Sequence, residues 1–120
     1  MSVKGLEWKH NIVISSMCTV FAESEVVSLV AQNKDVADII HGLNVSVASK
    51  VGALAARLGK DHPGEYMMTG GVAKNRGIIQ ALEEKLGAKL YICDEAQLCG
   101  ALGAALFAYE KSKGSAEETR

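Results

Sequence analysis

The sequence predicts an α/β domain in which a short, mainly parallel sheet carries packed helices. Three observations point there. Short β-branched or aromatic runs alternate with segments of helical period, an order that calls for parallel strands joined by right-handed crossovers. Apolar residues make up 48% of the 120 residues, enough for a core in a domain of this size. Glycine is abundant, at 12, and proline occurs once, which suits tight turns and closely packed helices.

The elements follow in order. NIVIS (11–15) is a β-branched run and predicts a strand. A helix then starts near Thr19 or Ala22 and ends at Gln32, with Thr19 or Ser16 as cap and Cys18 at its head. The clearest helix comes next. Val36, Ile39, Ile40, Leu43, Val47, Val51, Leu54 and Leu58 recur at spacings of three and four and predict one apolar stripe. Asp35 is the N-cap, Gly59 the C′ residue, and Pro63 prevents continuation. Gly42 and Gly52 inside this helix each cost roughly 1 kcal/mol relative to Ala, which predicts that another backbone packs closely there. EYMMT (65–69) predicts a buried strand, ended by Gly70 and Gly71. Asn75 caps a helix that carries Ile78, Ile79, Leu82 and Leu86 and stops at Gly87. KLYIC (89–93) predicts a third strand. A last helix covers about 97–111, with Leu98, Leu102, Leu106 and Tyr109 on one face and small residues opposite. The expected organisation is a loosely defined segment 1–11, a domain over 12–112 and a disordered polar tail over 113–120. Three strands make a narrow parallel sheet, so the chain reads as part of a wider one.

Composition narrows the function. Net charge is −1 with no basic stripe, which excludes nucleic acid as an expected partner. No uninterrupted apolar run approaches the length of a membrane span, and the N-terminus lacks the apolar core of a secretory signal. Three cysteines, Cys18, Cys93 and Cys99, suit a reducing cytoplasm better than a disulfide scaffold.

Three segments carry candidate chemistry. MMTGGVAKN (67–75) places a diglycine between a strand and a helix N-terminus, where glycine permits unusual dihedrals and close approach by a ligand. A plain strand-to-helix turn has the same spacing, and both readings stand. CGALGAALFAYE (99–110) has a face of small residues that suits close helix packing. SSMCTVFAESEV (15–26) puts Cys18 at a helix start, where a thiol becomes a thiolate ligand or nucleophile, or else is a structural thiol. Cys93 and Cys99 read as core residues. His10, His41 and His62 have no partner at ligand or triad spacing, and His41 reads as a packing or surface histidine rather than a catalyst. Glu23 and Glu25 read as helix-start carboxylates ahead of general bases. Lys74 and Arg76 flank the diglycine and face either phosphate or solvent.

Taken together, ISSMCTVFAESEVVSLVA, IIHGLNVSVASKVGALAARLG, YMMTGGVAKNRGIIQALEEKLGAKL and AQLCGALGAALFA resemble, in this order, the C-terminal half of one ATPase family. It is the BadF/BadG/BcrA/BcrD type, which serves benzoyl-CoA reductases and 2-hydroxyacyl-CoA dehydratases. The resemblance covers residues 12–110, leaves 1–11 outside, and leans toward the benzoyl-CoA reductase subunits through AQLCGALGAALFA and IIHGLN. It implies half of an actin/Hsp70/sugar-kinase-like (ribonuclease H-like) ATPase domain, with ATP and Mg²⁺ in a cleft between two domains. The TGGVAKN segment matches the adenosine motif, which implies Gly70, Gly71, Val72 and Asn75 as ATP-binding residues. GALGAAL matches a connecting helix at which the domains hinge, implying a packing role for Gly100 and Gly103. Cys18 matches one of two cysteines per subunit that hold a [4Fe-4S] cluster between subunits, from which ATP hydrolysis drives an electron into the acyl-CoA reductase or dehydratase component.

The family's N-terminal phosphate motif, acidic metal-binding residues, second phosphate loop and first cluster cysteine have no counterpart in these 120 residues. The expectation is therefore either a fragment of a longer ATPase or a subunit of a homo- or hetero-oligomer in which another chain supplies the missing ATPase half, with the isolated chain inactive. The alternative is a non-catalytic association or nucleotide-binding module that retains the fold. A sugar or acetate kinase fragment shares the diglycine, but such a kinase needs no cysteine in SSMCTVFAESE.

Overall fold

The structure, a computed structural model, describes residues 6–15, 18–57 and 65–117. The elements are α1 (Thr19–Ala31), α2 (Val36–Arg57), β1 (Tyr66–Met67), α3 (Arg76–Leu86), β2 (Leu90–Tyr91) and α4 (Cys99–Glu117). Two 3-10 turns, Gly71–Lys74 and Ala96–Leu98, lead into α3 and α4. Strands β1 and β2 are parallel, with Tyr66 opposite Leu90 and Met67 opposite Tyr91, and α3 is the crossover between them.

The capping residues do what their chemistry predicts. Asp35 accepts the Ala37 N–H at 2.8 Å and starts α2. The Asn75 carboxamide accepts from the Gly77 and Ile78 N–H groups at 3.1 and 3.3 Å and starts α3. Gly87 ends α3 in the left-handed region at φ 64°, which a side chain would strain. Helix α1 ends through Asn33, also left-handed at φ 54°, a conformation asparagine tolerates better than most residues. Glu83 then ties α3 to β2: its carboxylate accepts from Lys89 Nζ at 2.8 Å and from the Leu90 N–H at 2.9 Å. Those two bonds, Lys89 first, hold the Glu83 carboxyl below its usual range.

The core lies between α2, α3 and the strand pair. Ala48 is only 1% exposed and packs with Ala81 and Leu82, with Met68, Leu86 and Leu90 around them. The face of α2 that is buried is not the predicted stripe. Asp38, Ile39, Gly42, Asn44, Ala48 and Gly52 are buried, whereas Val36, Val51 and Leu54 are 57, 41 and 60% exposed. Close approach explains the difference. A Cβ at Gly42 would collide with the Ile12 carbonyl oxygen, one at Gly52 would meet Lys85 Cγ at 2.7 Å, and one at Gly77 on α3 would collide with the Asn44 carboxamide. The predicted backbone approach holds at Gly42, which meets Ile12; at Gly52 and Gly77 the space is taken by the Lys85 and Asn44 side chains instead, and valines on that face would fit neither arrangement.

Residues 11–15 form no strand. They lie along α2, with Ile14 buried and Ser15 held by the Glu25 carboxylate through its N–H at 3.2 Å and its hydroxyl. A strand needs a neighbouring strand to take its hydrogen bonds, and the described residues offer only β1 and β2. The sheet therefore has two strands rather than three. Segment 65–69 is half exposed rather than buried, Met67 standing outward. Just upstream of residue 11, Asp38 clamps residues 9–10 to α2. Its carboxylate accepts from the Lys9 and His10 N–H groups at 2.7 and 3.0 Å and lies 3.1 Å from His10 Nδ1. His10 thus has the carboxylate partner that sequence spacing does not reveal. Trp8 stacks on His41 at 4.1 Å between ring centroids, which bears out the packing role of that histidine. Ser16, Leu58, Gly59, His62 and Pro63 lie outside the described residues.

Helices α1 and α4 are different in kind. No residue of α1 is buried, and residues 104–114 of α4 are all exposed. The radius of gyration is 19.2 Å, against about 14 Å for a compact chain of this length. Helix α4 runs on to Glu117, past the residue 112 at which a loose tail is expected. Glu110, Lys111 and Lys113 are good helix formers, and the Lys113 ammonium sits 4.7 Å from the Tyr109 ring centroid. Among the described residues, α2 is long and apolar enough to cross a bilayer by length and composition. It carries buried Asp38 and Asn44 against neighbouring protein.

Candidate functional site

The site grows out of the end of β1. The Met68 N–H donates to the Tyr91 carbonyl at 3.0 Å, carrying the strand pairing one residue further. The Gly70 N–H then donates to the Ala96 carbonyl at 2.7 Å, so the diglycine turn rests on the turn that follows β2. At Gly70 the chain adopts φ 90° and ψ 177°, a conformation closed in practice to residues with a Cβ. It reverses there into the 3-10 turn Gly71–Lys74, which is closed by the Ala73 N–H on the Gly70 carbonyl at 3.2 Å. Ala73 points inward and is buried, while Val72 is half exposed.

The space above this turn is open. A Cβ on Gly70 would meet no atom within 4 Å, and one on Gly71 would meet only the Gln97 carboxamide nitrogen at 3.9 Å. Gly70, Gly71, Val72 and Asn75 follow one another through this turn, and Gln97 is the described side chain nearest Gly71. Asn75 is half buried and engaged in starting α3, so its place is to aim the helix end. Lys74 is exposed beside the turn, and Arg76 lines a groove on the far side of α3 with Gln80, Glu83 and Lys89. With no side chain on either glycine, the backbone of this turn is left uncovered beside the Gln97 carboxamide.

The other candidates lie apart. Gly100 and Gly103 are on the projecting α4, and a Cβ at either would meet nothing within 4 Å. Cys18 is the exposed N-cap of α1, in extended conformation, with no side-chain cap bond. It offers one thiol. Among the described residues no three His, Cys, Asp or Glu side chains gather as a metal site, and a [4Fe-4S] cluster takes four ligands. This chain's residues alone therefore do not fit such a cluster. Cys93 and Cys99 are not core residues: both are half-buried and face each other. Sequence reasoning also missed the Ala96 carbonyl and Gln97. The polar DEAQ between the two cysteines was their signal, because a polar turn following a strand is where a ligand-side wall is built.

Residues 3–108 match the BadF/BadG/BcrA/BcrD ATPase family, so the match begins well before residue 12 and takes in the segment that Asp38 clamps. The chain is 51% identical over 110 residues to the (R)-2-hydroxyglutaryl-CoA dehydratase activating ATPase of Acidaminococcus fermentans, covering 90% of this chain and 41% of that protein. Against one of the benzoyl-CoA reductase subunits of Thauera aromatica the identity is 32% over 107 residues, covering 82% and 38%. The similarity is thus higher to the dehydratase activator, the opposite of the leaning in the motif wording. The solved activator of the 2-hydroxyisocaproyl-CoA dehydratase from Clostridium difficile, with bound ADPNP, superposes with a TM-score of 0.82 at 40% identity, over 98% of this chain and 43% of that one. The chain spans about two fifths of the length of these relatives.

Proposed function

Because the chain belongs to the BadF/BadG/BcrA/BcrD ATPase family and has the fold of the actin-like activator ATPases, we propose that it forms the adenosine side of an ATP site. That site works within an activator of an acyl-CoA dehydratase or reductase. The observation that carries this reading is the diglycine turn, where a backbone at φ 90° borders open space beside Gln97. Gly70 and Gly71 let the nucleotide approach the main chain, Val72 offers an apolar contact, and Asn75 fixes the helix that follows. The ADPNP held by the similar solved activator supports an adenine nucleotide as the ligand. Mg²⁺ enters with the phosphates, whose holders belong to a second chain or segment that completes the domain. Cys18 contributes one thiolate to a [4Fe-4S] cluster in an oligomer that brings the other three.

Calorimetric titration with ADPNP and Mg²⁺ tests the site. The chain is expected to bind weakly, with at least tenfold loss in Gly70→Val, and to show no appreciable ATP turnover. Equal binding by a folded Gly70→Val chain would place the ligand elsewhere.

A second reading has its own observation. Val20, Phe21, Val27 and Val30 on α1 and Leu102, Leu106 and Phe107 on α4 are all more than half exposed. Such surface suits a module kept for association. Assembly that ignores nucleotide favours this reading; assembly that depends on it favours the first.

A further inference from the structure

Two of the three thiols face each other. Cys93 and Cys99 stand 3.7 Å apart, sulfur to sulfur, at the two ends of the turn after β2. That turn is closed by the Ala96 N–H on the Cys93 carbonyl at 3.1 Å and the Leu98 N–H on the Glu95 carbonyl at 2.7 Å. Cys99 Sγ also lies 3.6 Å from the Glu95 carbonyl. Both thiols are half-buried, so small oxidants reach them, and neither is engaged by a metal cluster among the described residues. The same turn supplies the Ala96 carbonyl on which the Gly70 N–H rests.

We propose that Cys93 and Cys99 are a modification site, a dithiol that closes to an intrachain disulfide by exchange with a low-molecular-weight disulfide, and that closure fixes the turn supporting the diglycine segment. The chemistry balances without any further reactant. The Cys93 thiolate attacks one sulfur of the small disulfide, forming a mixed disulfide and releasing one thiolate, which takes up a proton. Cys99 then loses its proton and attacks Cys93 Sγ, expelling the second thiolate. Two protein thiols are oxidised and one small disulfide is reduced to two thiols. Hydrogen bonding to Cys93, with burial second, holds the Cys99 thiol above its usual range. Closure joins two sulfurs that already stand 3.7 Å apart, and it crosslinks the segment after β2 to the first residue of α4. The link to the diglycine rests on the nucleotide reading above; disulfide formation itself does not.

The test incubates the full chain in glutathione buffers of increasing glutathione disulfide content. Free thiols are then trapped with N-ethylmaleimide, and intact and peptide masses are read. The expected product is a monomer that carries a single maleimide label, on Cys18, and is lighter than the fully labelled reduced chain by two labels and by the two hydrogens (~2 Da) lost when Cys93 and Cys99 join; Cys93→Ser and Cys99→Ser each abolish it. Glutathione adducts that never resolve, or crosslinking only through Cys18, would overturn the proposal. Amide exchange at Gly70 in a Cys18→Ala background reads the second half: a several-fold slowing on oxidation is expected, and an unchanged rate would remove the coupling. Titrating the reduced chain with ADPNP separates the two ideas, since absent binding there counts against the nucleotide site and leaves the disulfide standing.

Discussion

The block of α2, α3 and the strand pair and the two outlying helices are built from similar residues and behave oppositely. In the block, alanine and glycine are buried, and Leu82 and Ala48 sit at the centre of a contact that is close because the residues are small. On α1 and α4, phenylalanine, leucine and valine stand in solvent, with Phe107 76% exposed. Apolar content does not decide what is inside. The chain buries what lets two backbones meet and leaves outside what has no surface to meet. The block is held by its own contacts, and the outlying helices leave their large apolar side chains uncovered among the described residues.

Substitutions sharpen that contrast. Leu82→Ala removes the largest buried side chain of the central cluster and should cost about 2–5 kcal/mol in chemical denaturation. A loss below about 1 kcal/mol would mean the block is not the core. Gly42→Ala puts a methyl group against the Ile12 carbonyl, backbone that cannot swing aside, and should cost about 1–3 kcal/mol. Acid should act locally at Asp38. Its folded carboxyl is held below the ordinary value of 3.8 by the His10 N–H first and the Lys9 N–H second. A depressed pKa means the bonus is present above the unfolded value and lost as pH falls through the folded one. Trp8 fluorescence should therefore report release of the N-terminal segment below about pH 4, before α2 and α3 melt, and Asp38→Asn should flatten that transition. The smallest effect belongs to α4. Leu106→Ala should move the stability of the chain by less than about 0.5 kcal/mol. A core-sized loss there would erase the distinction between the two regions.

Local signals were legible and distant ones were not. Asp35, Asn75 and Gly87 declared the ends of helices because a cap acts within three residues of itself. The diglycine turn was equally plain, because its geometry follows from the absence of a Cβ. The buried face of α2 was misread because valine outweighs glycine on any hydropathy count, although Gly42 and Gly52 had already announced a close approach. NIVIS looked like a strand because its residues favour one, but strand formation depends on a partner that local sequence does not specify. The Asp38–His10 pair and the facing thiols join residues through tertiary contact or turn geometry, neither of which spacing encodes.

Gly100 and Gly103 carry a last consequence. In a helix exposed like α4, each could be alanine with a gain of up to about 1 kcal/mol and no collision. Considered by itself, the helix is poorly optimised at two positions on one side. Filling the two positions with methyl groups should therefore stabilise the chain taken alone, since the described residues place nothing against either one.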